Sequence, residues 1–266
     1  MGVPRRAHRP RPAGAVRDAG SGGTGAGIAG DGLMSTARID WAQAYATWDV
    51  TPGSLQRAYA PSRLLDVLAE FLPRGAGAAV LELGCAPGRW LAWAESALGI
   101  RPVGVELDRE GVRLTHSLYP RIATVRGDAF HLPIRDGALA AVYALGVIEH
   151  FDDPGPPIAE ARRVLRAGGI AVWSVPNLIP GSLCRWHWGT FVRGALATHR
   201  VFSLEDLCGT VRREGFAVVH AEYNGLYVPH CQRVMGRLPF RRALRQLEGP
   251  RLAASVVVVA RNPGGG

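Results

Sequence analysis

The segment Val80–Trp90 constrains the fold most, because an apolar run passes there through closely spaced small residues into a helical pattern. The run is interrupted only by Glu82, as is typical of a buried parallel strand. Gly84, Ala86 and Gly88 follow at two-residue spacing. Small residues let the backbone approach a ligand closely, and the start of the next helix offers N–H groups to it. The segment therefore predicts a nucleotide-binding turn.

Strand-like and helical patterns alternate from Ala78 to Gly215. This alternation predicts an α/β fold with a doubly wound, mostly parallel sheet and helices on both faces. The predicted strands after the first are Val103–Leu107, Ala123–Arg126, Leu139–Leu145, Ile170–Val175, Phe216–Tyr223 and Leu252–Arg261. The main predicted helices are Trp90–Leu98, Arg109–Leu118, Pro156–Arg166 and Leu204–Glu214. A ligand of such a sheet binds beyond the carboxyl ends of the strands.

Glu106 ends the second predicted strand, about twenty residues after the glycine turn, where an acidic residue binds the ribose hydroxyls of a nucleoside. That spacing suits NAD as well as other adenosyl ligands. A dinucleotide-binding turn, however, requires G-x-G-x-x-G. Ala86 and Arg89 stand at the second and third glycine positions here, which disfavours an NAD-linked oxidoreductase.

Several segments resemble those of class I S-adenosylmethionine (SAM) methyltransferases of the quinone and small-molecule type. They are the acidic residue and glycine turn at Val80–Gly88, G-D-A at Gly127–Ala129, V-I-E-H at Val147–His150 and R-V-L-R-A-G-G-I at Arg163–Ile170. The resemblance covers residues 55–220. It implies a Rossmann-like, seven-stranded sheet whose last strand is antiparallel, and SAM as the cofactor.

The resemblance also implies a cofactor site made of residues at the strand ends. Glu82 is expected at the methionyl end, Glu106 at the ribose, Asp128 at the adenine amino group and Leu145 beside the sulfonium. The full set is Glu82, Gly84, Cys85, Ala86, Gly88, Glu106, Leu107, Asp128, Ala129 and Leu145.

Two histidines are candidates for the catalytic base. His150 comes just after the strand that faces the sulfonium in the family, and His199 precedes a predicted helix. A base that removes the proton of a hydroxyl acceptor accelerates its attack. The alternative for each is a structural role, which is the more common one for a single histidine. Some relatives bind a divalent metal through E-x-x-E-H, but Gly146 replaces the first Glu here, and we expect no metal.

These features predict a SAM-dependent methyltransferase that acts on a hydroxyl oxygen of a small molecule. The alternatives are a small-molecule N-methyltransferase and a non-catalytic SAM-binding module. All basic residues are arginine and the net charge is +9, which we interpret as coding bias, so we expect no nucleic-acid partner. The four cysteines include no C-x-x-C pair, which argues against structural zinc and fits a cytoplasmic setting. No apolar run reaches the ~20 residues of a membrane span.

The chain divides into three predicted regions. Residues 1–33, rich in Arg, Pro and Gly, are expected to be a disordered leader. Residues 34–77 form a helical cap, and residues 78–263 the SAM-binding domain. This domain carries insertions at 178–201 and 226–249, which we expect on the substrate side. The first insertion is aromatic and suggests a lid over an apolar or ring-bearing acceptor, or a small cluster packed on the core.

Overall fold

The structure is a computed structural model, and it describes residues 39–41, 63–192, 194–227 and 247–264. The predicted leader at 1–33, most of the helical cap and the middle of the 226–249 insertion lie outside the described residues. The limits of the three predicted regions therefore stay a prediction.

Within the described part of the chain, seven strands form one sheet in the order β3-β2-β1-β4-β5-β7-β6. They are β1 Val80–Leu83, β2 Val103–Glu106, β3 Ala123–Arg126, β4 Leu139–Leu145, β5 Leu165–Pro176, β6 Ala217–Leu226 and β7 Ala253–Arg261. The first five strands pair in parallel. β7 runs antiparallel to both β5 and β6. The predicted mostly parallel sheet with an antiparallel last strand is confirmed.

Six α-helices lie in the described residues. They are α1 Arg63–Phe71, α2 Arg89–Leu98, α3 Arg109–Leu118, α4 Gly155–Val164, α5 Leu183–Phe191 and α6 Leu204–Arg213, with 3₁₀ turns at Ile148–His150 and Ala195–Ala197. The Asp108 carboxylate accepts the backbone N–H groups of the first turn of α3. Ser203 and Asp206 form a capping box at the start of α6. Such caps satisfy N–H groups that have no partner within the helix.

Two apolar layers cover the sheet, one on each face. On one face α4 and α6 pack against Leu81, Val142 and Trp173. On the other face α1 and α2 pack against Val80 and Tyr143. Because successive side chains of a strand point to opposite faces and both faces are covered, the central strands are mostly apolar. The sheet is thus a rigid platform whose strand ends carry the candidate site.

Helix α4 was predicted to extend to Arg166 and is shorter, because β5 begins at Leu165. Leu165 pairs with Leu139 of β4. The Asn262 side-chain amide donates to the carbonyl oxygens of Arg162 and Leu165, at 3.3 and 2.8 Å. This residue after β7 therefore satisfies carbonyls at the end of the helix.

The 178–201 insertion was predicted to be irregular, but it contains helix α5. The Ser182 hydroxyl accepts the Arg185 backbone N–H and donates to the Asn177 carbonyl, which fixes the start of that helix. None of the helices in the described residues is long and apolar enough to span a bilayer.

Candidate active site

The carboxyl ends of β1, β2 and β4 meet at one edge of the sheet. Leu83, the last residue of β1, pairs with Val105 on one side and with Ala144 on the other. The β3 end joins them, because the Gly127 N–H donates to the Glu106 carbonyl at 3.0 Å. The segments after these strands therefore surround one space, as expected for the ligand site of a doubly wound sheet.

The glycine turn lies directly against the segment that follows β4. Gly84 has a φ of +65°, and a Cβ on it would lie 2.6 Å from Val147 Cγ2. Gly88 has a φ of +87°, and a Cβ there would lie 2.6 Å from Thr115 Cγ2. Both the backbone conformation and the space thus require glycine. The result is a tight turn of buried and half-buried residues at the start of α2.

The Glu106 carboxylate ties this turn to β2. It accepts the N–H of Ala86 at 3.2 Å and that of Asp108 at 3.0 Å. Its side chain is nearly buried, and burial raises the pKa of the carboxyl. An ionised carboxylate has roughly four acceptor positions. About two therefore remain for hydroxyl groups of a ligand.

Two residues of the predicted cofactor set have buried side chains. The Cys85 side chain is buried against Gly104 and Leu91, so this residue can present only its backbone to a ligand. Glu82 is 1% exposed and accepts a hydrogen bond from the Tyr143 hydroxyl at 3.1 Å. Burial raises the pKa of this carboxyl well above its usual range.

The residues predicted to contact adenine lie farther along the same edge. Leu107 is 43% exposed, so its side chain is accessible to an apolar group of a ligand. The Asp128 carboxylate accepts the Phe130 N–H at 3.0 Å and shapes the turn after β3. Ala129 is half-buried against the core, and Leu145 is half-buried at the end of β4. The structure therefore brings the predicted cofactor residues to one edge of the sheet. Their contacts with a cofactor stay a prediction.

The two predicted catalytic histidines lie side by side, next to Glu149. Their ring centroids are 4.3 Å apart. One nitrogen from each ring and a Glu149 oxygen all lie within 4.8 Å of one another. Thr198 orients both rings, because its carbonyl accepts from His150 Nδ1 at 3.0 Å and its hydroxyl lies 3.0 Å from His199 Nδ1. We call Glu149, His150 and His199 the Glu–His–His cluster.

Burial sets the charge of this cluster. It lowers the pKa of His150 to about 4 and raises the pKa of Glu149 to about 8. His150 is therefore neutral near pH 7. A carbonyl oxygen can only accept, so the His150 proton is on Nδ1 and Nε2 carries a lone pair.

Aromatic side chains continue from the cluster toward α5. The Trp41 ring packs edge-on against His150, and the Trp188 ring does so against His199, both with centroids 5.3 Å apart. Trp188 Nε1 donates to the Tyr227 hydroxyl at 3.0 Å, and this hydroxyl also contacts His187 Nδ1 at 2.8 Å. The insertion thus contributes Trp188 and His187 to the side chains beside the cluster. We call Trp41, His187, Trp188 and Tyr227 the aromatic wall.

Several residues of the site were not among the predicted ones. Glu149 belongs to the quoted V-I-E-H segment, so its sequence signal was present. Val147, which abuts the glycine turn, also belongs to that segment, whereas Thr198, which orients both histidines, has no local sequence signal. Tyr227 lies at the start of the second insertion and could be expected there only as one of several aromatic residues.

Comparisons with known proteins agree with this geometry. A family model described as a methyltransferase domain matches residues 56–221. A "Probable S-adenosylmethionine-dependent methyltransferase" of Mycolicibacterium smegmatis is 30% identical over 204 residues, which are 73% of this chain and 79% of that protein. The 27-O-demethylrifamycin SV methyltransferase of Amycolatopsis mediterranei is 32% identical over 128 residues, 46% of each chain.

Matches to other curated relatives cover less of their length, 34% of one and 39% of two others. Among solved structures, a SAM-dependent methyltransferase from Thermotoga maritima has a TM-score of 0.58 at 22% identity, covering 84% of this chain and 96% of that one. That likeness supports the fold.

Proposed function

This chain belongs to the class I SAM-dependent methyltransferases, and we propose that it methylates a hydroxyl oxygen of a small, ring-bearing acceptor. The observation that carries the proposal is the position of the Glu–His–His cluster. Val147 contacts the glycine turn, and Glu149 and His150 follow it by two and three residues. The groups that can act on an acceptor therefore lie next to the turn that holds the cofactor.

The residues at the strand ends fit SAM. The lack of a side chain at Gly84 and Gly88 lets the turn pack against Val147 and Thr115, which fixes the path of its backbone at the start of α2. Glu106 retains acceptor positions for the ribose hydroxyls, and Asp128 and Leu107 lie on the side where adenine would bind. Bound SAM supplies a methyl group on a sulfonium, whose C–S bond breaks as the C–O bond to the acceptor forms, leaving S-adenosylhomocysteine.

A hydroxyl acceptor is favoured because the cluster offers a group for its proton. A hydroxyl attacks well only when its proton is lost, whereas a neutral amine attacks without that step. His150 is neutral, with Nε2 as acceptor. The rifamycin relative, whose name describes methylation at an oxygen, supports the same preference. The sequence-based role of His150 or His199 as base stays a prediction.

The aromatic wall supports a ring-bearing acceptor. Trp41, Trp188 and Tyr227 offer ring faces and edges together with a single hydroxyl, and such surfaces bind flat apolar molecules. The predicted absence of a nucleic-acid partner and the cytoplasmic location stay predictions.

Two measurements test the proposal. Calorimetry should show that the wild-type protein binds SAM and that Glu106→Ala binds it at least about tenfold more weakly, since two charge-assisted hydrogen bonds are lost. Labelled SAM should then transfer its methyl group to phenolic or macrocyclic alcohols, with NMR locating the methyl on oxygen. A methyl found on nitrogen, or SAM binding without transfer to any hydroxyl acceptor, would contradict the proposed acceptor class.

A further inference from the structure

We propose that the Glu–His–His cluster binds a divalent transition-metal cation beside the cofactor turn. Its three donors come from two separate segments: Glu149 and His150 from the 3₁₀ turn after β4, and His199 from the segment before α6. Their potential ligand atoms lie within 4.8 Å of one another.

Glu149 is the strongest indication of a ligand. The residue is 2% exposed, and its Oε2 has no hydrogen-bond partner among the described residues. None of the ion pairs in the described residues includes it. A buried polar atom without a partner is costly, and a bound cation would supply one. The Arg200 N–H donates to the Glu149 carbonyl at 2.6 Å, which holds the turn in place.

His150 is oriented as a metal-binding histidine is. A ligating imidazole almost always donates its other ring N–H to a carbonyl or carboxylate. His150 Nδ1 donates to the Thr198 carbonyl, which leaves Nε2 for a cation. Thr198 also contacts His199 Nδ1 through its hydroxyl, so one residue positions both rings. Trp41 and Trp188 pack against the two imidazoles and form an apolar shell.

The donor set selects the kind of cation. Two imidazoles and one carboxylate suit Zn²⁺, Fe²⁺ and related ions, whereas Mg²⁺ and Ca²⁺ prefer oxygen ligands throughout. Bonds of about 2.1 Å join ligand atoms at most about 4 Å apart. Small side-chain rotations therefore suffice to close the set. Three protein ligands leave a position open, as catalytic sites do.

The third protein ligand of this metal site does not come from position 146, where some relatives have it. Gly146 stands where some relatives have a carboxylate, and on that ground the sequence predicts no metal. The structure brings in His199 as the third donor from a distant segment. The role of the cation, unlike its binding, rests on the proposed function. A cation there lowers the pKa of a hydroxyl that contacts it. The cation then replaces a base in promoting loss of the hydroxyl proton to solvent. The preference for a hydroxyl acceptor is kept, whereas the predicted role of His150 or His199 as base is not.

Metal titration tests the site directly. Untagged protein is treated with a chelator, dialysed, and titrated with Zn²⁺ by calorimetry and with Co²⁺ by visible absorption. We expect one tight site with d–d bands in wild type. Glu149→Gln, His150→Gln and His199→Gln should each weaken binding roughly 10- to 100-fold or more. His116→Gln, which changes an exposed histidine at the end of α3, is the matched control and should bind as wild type does.

Circular dichroism and SAM affinity of each variant show that the fold is intact. Wild-type protein that binds neither ion, or Glu149→Gln that binds both as wild type does, overturns the site. The two proposals fail separately. If the wild-type protein binds no metal and still transfers the methyl group after chelation, then the metal site is wrong and the proposed function stands. If the wild-type protein binds metal and the three variants lose that binding, but the wild-type protein methylates no hydroxyl, then the metal site stands and the proposed function is wrong.

Discussion

Replacing Gly84 with alanine should destabilise the protein through two separable effects. The first is backbone strain, because φ is +65° at this position and an L-residue there costs about 1–2 kcal/mol. The second is a collision, because the new Cβ would lie 2.6 Å from Val147 Cγ2, closer than real Cβ contacts. Overpacking of this kind costs roughly 1–3 kcal/mol. We expect a total of about 2–5 kcal/mol in the free energy of unfolding.

Two further variants separate the effects. Gly99 has a φ of +67°, but a Cβ there would have nothing within 4 Å, so Gly99→Ala should show only the strain of about 1–2 kcal/mol. Val147→Ala removes the colliding methyl groups. The Gly84→Ala cost should therefore fall by roughly 1–3 kcal/mol in a Val147→Ala background, measured as a double-mutant cycle by urea unfolding.

The same cycle should be run with SAM affinity as the readout, since the collision displaces the turn that would hold the cofactor. A Gly84→Ala variant no less stable than Gly99→Ala would refute the collision. So would a cycle with no coupling between positions 84 and 147, because the two residues would then not be in contact.

Three other outcomes are expected. Ser203→Ala should lower the free energy of unfolding by about 1 kcal/mol, because the capping box is lost, and should leave SAM affinity unchanged; a larger loss in urea unfolding would contradict this. Tyr227→Phe should raise the KM for the methyl acceptor and not the KM for SAM in steady-state assays, because the Trp188 N–H loses its hydrogen-bond partner. Equal effects on both KM values would place Tyr227 outside the aromatic wall. Cys184 should react with iodoacetamide at pH 8 only after denaturation, because burial raises the pKa of its thiol to about 12, and rapid labelling of folded protein would show otherwise.

Local patterns predicted most of the sheet. Helix α3 and strands β3 and β4 have the limits that the sequence predicts, because each is bounded by a cap, a turn or a change of apolar period. Helix α4 ends early for a reason outside such patterns, since its carbonyls bind an asparagine about a hundred positions away. Local sequence patterns predict the limits of a helix or strand, and these predictions fail where a side chain far along the chain binds the end of that helix or strand.

The candidate site shows the same division. The ends of β1, β2 and β4 could be placed together because parallel strands align their carboxyl ends. The pairing of His150 with His199 could not, since it depends on the path of a segment 48 positions away. Burial of Glu149 and the inward direction of Cys85 also depend on packing. The V-I-E-H segment indicated where the acceptor side lies and left open how its side chains are arranged.

The position of β7 has a consequence for biosynthesis. This strand follows β5 and β6 in the chain but lies between them in the sheet. While the ribosome translates the codons before Ala253, β6 has no neighbour in the sheet, and β5 has an open edge. Unpaired edges of this kind recruit other strands and promote aggregation. The sheet can therefore be completed only after β7 has been synthesised, and until then the edges of β5 and β6 stay open to pairing with other strands.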